Sequence, residues 1–156
     1  MQTLTQTWTR FFRLRPNERR VVVTAGAALV LTRIGLALFD FRVWKSALHA
    51  TFPGPLKPPA SESEATVETI VRFHAAAARH LFFRTTCLER SLVLWWLLQR
   101  RSIPADLRFG ARNFGGSFEA HAWVELAGKI LNDPGGTHRL FAPFGASFPS
   151  IEAESR

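Results

Sequence analysis

The stretch Thr85-Thr86-Cys87-Leu88-Glu89-Arg90-Ser91-Leu92-Val93-Leu94-Trp95-Trp96-Leu97-Leu98 decides the fold. Thr86 and Glu89 stand at capping-box spacing, in which an N-cap hydroxyl and a carboxylate three residues on bond each other's backbone N–H and start a helix. Cys87, the only cysteine of the chain, then becomes the first helical residue. A thiol there meets backbone N–H groups without helical partners and the positive end of the helix dipole, and both favour the thiolate. Leu92 to Leu98 are apolar all round, a pattern that a helix carries when it is buried in the centre of a domain. The helix is predicted to run to about Arg101, before Pro104.

Beyond Pro104 the period changes to two. Leu107, Phe109 and Ala111 alternate with Arg108, Gly110 and Arg112, which predicts a strand, and Asn113 to Ser117 (NFGGS) is turn chemistry. The next strand places Phe118, Ala120, Ala122, Val124 and Leu126 on one face and Glu119, His121, Trp123 and Glu125 on the other. What meets His121 depends on register. A three-residue loop, Leu126-Ala127-Gly128, sets Glu125 opposite Lys129, Trp123 opposite Leu131 and His121 opposite Asp133. A two-residue Ala127-Gly128 turn sets Ala122 opposite Asp133 instead and aims the carboxylate at the wrong face. The three-residue loop also gains a charge pair and is the expected one. From Pro134 onward glycines, prolines and aromatics alternate without a period; ordered irregular structure is expected, with Phe141, Phe144 and Phe148 buried.

Upstream of the cysteine helix, Ser61 and Glu64 form another capping box. Val67, Ile70, Val71, His74, Ala78, Leu81 and Phe82 then follow on one stripe, predicting a helix over about 62–81. Four prolines at 53, 55, 58 and 59 exclude regular structure and mark a linker or loop. Pro16, followed by Asn17-Glu18, suits the first turn of a helix running to about Phe39, and Phe41, Trp44 and Leu48 space a shorter helix over 40–50. The order of helices then strands predicts an α+β class. One folded unit is expected, with a helical extension and Pro-rich loop at 1–60, a core at 61–150 and a tail at 151–156.

The apolar run Val21–Phe39 reaches only 12 uncharged residues before Arg33. A central Arg costs about 2.5–3.5 kcal/mol on membrane insertion, so the run reads as a buried or surface-lying helix rather than an anchor. The 156 residues carry 20 Lys plus Arg, 17 of them Arg, against 12 Asp plus Glu, a net +8 that attracts acidic partners or headgroups without choosing between them. A single cysteine forms no internal disulfide, and a cytoplasmic setting is expected. The five His (49, 74, 80, 121, 138) show no zinc-ligand spacing, and no metal or cofactor is expected. His74, on an apolar stripe, reads as a packing histidine; His49, His80 and His138, in polar surroundings, receive the same ordinary reading.

A thiol, an imidazole and a carboxylate in the order Cys87, His121, Asp133 are the parts of a nucleophilic acyl-transfer site: nucleophile, general base and acid, and the group that fixes the imidazole tautomer. N–H groups at the start of the cysteine helix, including that of Cys87, suit part of an oxyanion hole; no side-chain donor for it is evident. Each residue has an ordinary reading too. A lone Cys serves as a small core hydrophobe, a strand His as a structural group, and Asn-Asp-Pro-Gly-Gly as turn material.

Cys87-Leu88 with Arg90-Ser91-Leu92-Val93-Leu94, Leu107-Arg108-Phe109-Gly110, Ala120-His121-Ala122-Trp123-Val124-Glu125 and Asn132-Asp133 resemble the lasso-peptide B-protein leader peptidases of the transglutaminase-like superfamily. The resemblance covers about residues 60–135 and, more loosely, the opening FFRLRPNERR and the helix after it. It implies a papain-like cysteine protease core, with the Cys-bearing helix packed on a small antiparallel sheet, that removes the leader from a ribosomally made precursor. Carried over residue by residue, Cys87 is the nucleophile, His121 the base and acid, and Asp133 the orienting carboxylate. It also implies three partners: the precursor peptide, a PqqD-like leader-recognition protein and an ATP-dependent, asparagine-synthetase-like cyclase. The recognition protein is expected to be a separate chain, since residues 1–60 show no strands. The ATP belongs to the cyclase. Transfer of the acyl group to an amine, or a non-catalytic basic module on nucleic acid or anionic membrane, are the alternatives; no RNA-recognition signature is visible, and membrane contact is not expected.

Overall fold

The computed structural model describes residues 14–51, 64–133 and 135–144. The Pro-rich loop, the Ser61 cap, the first 13 residues, Phe148 and the expected tail lie outside the described residues. Among the described residues four helices, α1 (Pro16–Leu38), α2 (Phe41–His49), α3 (Glu64–His80) and α4 (Cys87–Gln99), precede β1 (Asp106–Phe114), β2 (Ser117–Leu126), β3 (Lys129–Ile130) and β4 (Ala142–Pro143). A 3-10 turn, Thr137–Leu140, lies between the last two strands. The strands form one antiparallel sheet in the order β3-β2-β1-β4.

α4 is the axis of the molecule. Leu92, Val93, Leu94 and Leu98 are fully buried and join one core with Ala25 and Leu29 of α1, Ile70 of α3, Leu107 of β1 and Val124 of β2. Around it α1 packs on both α3 and α4. α1 is long and apolar enough to cross a membrane by length and composition alone. Arg33, the one charge of α1 after Arg20, has a local use. Arg33 Nη1 lies 3.3 Å from Glu89 Oε1 and donates to the Arg84 carbonyl at 3.2 Å, with its guanidinium 4.8 Å from the Phe83 ring centroid. The partners sit at and before the start of α4, so Arg33 ties α1 to the cysteine end of the central helix. The next connection, to α2, depends on Gly35: a Cβ there would stand 2.3 Å from the Trp44 ring, whose indole N–H donates to Thr32 Oγ1 at 3.4 Å.

β1 and β2 are a hairpin paired from Asp106↔Glu125 to Phe114↔Ser117. Gly115 and Gly116 turn it with φ of 60° and 82°, the two positive values that a type I′ turn needs. Phe118, expected on the apolar face, lies at this hairpin's tip and is 74% exposed. In the segment after Pro134, Phe141 is buried but Phe144 stays half exposed, against expectation.

The register after Leu126 corrects the sequence reading. Leu126 pairs with Lys129 and Glu125 with Ile130, so Ala127-Gly128 is a two-residue turn with φ of 47° and 79°. A turn with both central residues left-handed matches the strands' own twist, and that outweighs the cost of placing Ala127 there. The expected Glu125–Lys129 charge pair does not form either. Lys129 Nζ meets Glu64 Oε1 of α3 at 2.8 Å, and Glu125 meets Arg108 at 3.5 Å.

His74 is the buried histidine of α3, 2% exposed. Burial, and then the charge of Arg90, push its pKa from 6.5 down to about 4, against a backbone hydrogen bond at Arg90 that raises it. The unfolded chain therefore takes up a proton near pH 6.5 that the folded chain refuses until about pH 4. Stability conferred by a neutral His74 is complete above pH 6.5 and falls, by roughly 3 kcal/mol, as the pH drops through this window. Urea unfolding at pH 7 and pH 4.5 should show a smaller acid loss for His74→Leu than for the wild type; equal losses would contradict the assignment.

Candidate active site

Cys87 occupies the first position of α4, as the capping box requires. Glu89 N–H donates to Thr86 Oγ1 at 3.2 Å and Thr86 N–H to Glu89 Oε2 at 2.7 Å. The first N–H to reach back to a main-chain carbonyl is that of Arg90, to Thr86 O at 3.2 Å. The N–H groups of Cys87 and Leu88 are thus outside the helical ladder, beside a half-buried thiol.

One turn further, on the same helix face as Cys87, Ser91 is fully buried and donates to the Ala122 carbonyl at 2.8 Å. The Asn132 side chain completes this link. Its Nδ2 donates to Ser91 Oγ at 2.8 Å, and its Oδ1 accepts from the Val124 N–H at 2.8 Å. Three elements are joined: the cysteine helix, the strand residue next to His121, and the segment leading to Asp133. Sequence reasoning assigned neither Ser91 nor Asn132 a place in the site. The signal was a hydroxyl at the edge of an apolar helical run, where a buried polar group must find a partner, but its partner is 41 residues away.

The same link explains how Asp133 reaches His121 without the expected ladder pair. Leu131 N–H still donates to Val124 O at 2.9 Å, but the Val124 N–H is taken by the Asn132 side chain instead of a backbone carbonyl. The chain leaves the sheet there. Asp133, released from strand alternation, turns to the face of His121, with its Oδ2 3.6 Å from His121 Nε2. At that separation the pair is not hydrogen bonded, and His121 Nε2 is buried without a hydrogen-bond partner. Asp133 Oδ2 instead accepts the His138 backbone N–H at 2.5 Å and lies 2.9 Å from His138 Nδ1. Burial alone would raise the Asp133 pKa. The hydrogen bonds from the His138 backbone, the His138 ring and the Thr137 backbone, with the charge of His121, outweigh it and hold the carboxyl below its ordinary range.

His121 neighbours two aromatic rings, its centroid 6.0 Å from Trp123 and 5.2 Å from Phe141. Gly110, its partner across the hairpin, makes room for this: a Cβ there would be 2.9 Å from Phe141 Cβ and 3.1 Å from Trp123. Among the described residues no hydrogen bond joins Cys87 to His121. Nor does any group of three or more His, Cys, Asp and Glu side chains offer a metal site there. A cavity of 510 Å³ between α1, α2 and α4 is lined by residues such as Leu31, Trp44 and Trp96 and includes none of these site residues.

A family model described as Transglutaminase-like superfamily matches residues 28–145, well over half of the chain. A stretch of 51 residues is 39% identical to the Microcin J25-processing protein McjB of Escherichia coli. That stretch is 33% of this chain and 24% of the relative, so the match spans about a quarter of the relative's length. No solved structure matches.

Proposed function

Because the chain belongs to the transglutaminase-like superfamily, we propose that it is a cysteine peptidase that removes the leader from a ribosomally made lasso-peptide precursor. The observation that carries this reading is the joining of α4 to β2 beside His121, together with Asp133 Oδ2 at 3.6 Å from His121 Nε2. With Nε2 turned to the carboxylate, Nδ1 is the nitrogen left for a thiol. The likeness to a protein that processes microcin J25 supports the substrate class.

In this mechanism His121 Nδ1 takes the Cys87 proton, and the sulfur attacks the carbonyl carbon of the bond between leader and core. The N–H groups of Cys87 and Leu88 stabilise the oxyanion. His121 then protonates the departing core amine, leaving the leader as a thioester on Cys87. A water deprotonated by His121 hydrolyses it, releasing a leader carboxylate and the free thiol. The freed core amine is what a separate ATP-dependent cyclase would join to an Asp or Glu side chain, after a PqqD-like protein has presented the leader. The proposed setting is the cytoplasm.

The test is incubation with a lasso precursor and a PqqD-like recognition protein, followed by intact-mass spectrometry. Two fragments summing to the precursor plus one water are expected. An intact precursor would refute the reading, and a leader joined to an added amine would replace hydrolysis with acyl transfer.

A further inference from the structure

Resting on that reading, we infer that His138 is a positioning residue: it holds the Asp133 carboxylate, so that the imidazole of His121 is set by a His138–Asp133–His121 chain rather than by a two-residue pair. Asp133 Oδ2 has two contacts to His138, backbone N–H at 2.5 Å and ring Nδ1 at 2.9 Å, and a third at 3.6 Å to His121 Nε2. A carboxylate oxygen accepts through about two lone pairs. His138 occupies both, and the longer contact is the one left to His121.

The geometry sets a tautomer. An ionised carboxylate only accepts, so His138 carries its proton on Nδ1 when neutral. Both imidazoles also lie against one buried indole, Trp123, with ring centroids 6.0 Å away for His121 and 5.9 Å for His138. Neither ring can swing far without repacking it. Gly136, with φ of 66°, precedes the 3-10 turn and brings the His138 backbone N–H onto Asp133. Among the described residues, the titratable groups acting on Asp133 are His138 from this turn and His121 from β2.

His138→Ala should lower kcat for precursor cleavage about 10- to 100-fold with KM within twofold. By freeing Oδ2 for His121 it should also move the acid limb of the kcat/KM profile upward, by ~0.5 pH unit or more. His138→Asn, whose amide N–H can stand in for Nδ1–H, should restore most of kcat. Nitrogen-15 NMR of the wild type should show the Nδ1–H tautomer at His138. Wild-type kcat and an unshifted limb in His138→Ala would overturn the inference, as would a kcat loss matched by the fraction unfolded in a thermal melt. Cys87→Ala, run in parallel, separates the two levels. If it is inactive while His138→Ala behaves as wild type, only the role of His138 fails; if it cleaves normally, the peptidase reading fails.

Discussion

Cys87→Ala is expected to abolish precursor cleavage, by on the order of 10⁴-fold or more, because no other group on the chain can form the thioester. The change is small on the folding side. Cys87 is half-buried at a helix start, alanine is a good helix former, and the capping bonds use Thr86 and Glu89 rather than the thiol. Circular dichroism and thermal unfolding should therefore match the wild type while single-turnover cleavage, followed by mass spectrometry, disappears. His121→Ala should be comparably inactive, and the double variant hardly worse than either single one, since the two residues act as a unit. Cleavage by Cys87→Ala at more than a hundredth of the wild-type rate would exclude the thiol as nucleophile.

Asn132→Ala should have the largest effect on stability, about 2–4 kcal/mol by urea unfolding with an unchanged m-value. The substitution strands the N–H of Val124, a residue with no exposed surface, and takes one partner from the buried Ser91 hydroxyl. Ser91→Ala should cost less, about 1–2 kcal/mol, because the Val124 N–H keeps its bond to the Asn132 side chain. The double variant should cost less than the sum, as members of one network do. Activity of Asn132→Ala should fall further than its folded fraction, since the same side chain determines where the chain leaves the sheet and turns Asp133 to His121. A destabilisation under 0.5 kcal/mol would mean that water or backbone readily replaces the amide.

The helices were legible in the sequence because their signals are local. The Thr86–Glu89 box appears with both its bonds, Pro16 opens α1, and the apolar all-round run from Leu92 is the buried axis. Arg33, which reads as an interruption of an apolar run, is legible only once Glu89 and Arg84 are beside it. His138 reads as an ordinary histidine in sequence because its neighbours there are polar. Its contact with Asp133 spans just five residues, yet it requires the Gly136 turn, which no periodicity announces.

His121 and Asp133 mark the boundary between the two kinds of information. Sequence alone determined where the cysteine helix begins and that a turn falls within Asn113 to Ser117, because each depends on side chains within a few positions of one another. It did not determine how the carboxylate arrives. The expected three-residue loop and its Glu125–Lys129 pair gave way to a two-residue turn, and Lys129 found Glu64 of α3 instead. Only the tertiary structure decided that Asp133 meets His121 by leaving the sheet. The physical reason is that the Val124 N–H and the Ser91 hydroxyl, far apart in the chain, must both be satisfied in the interior, and the Asn132 side chain is what satisfies them.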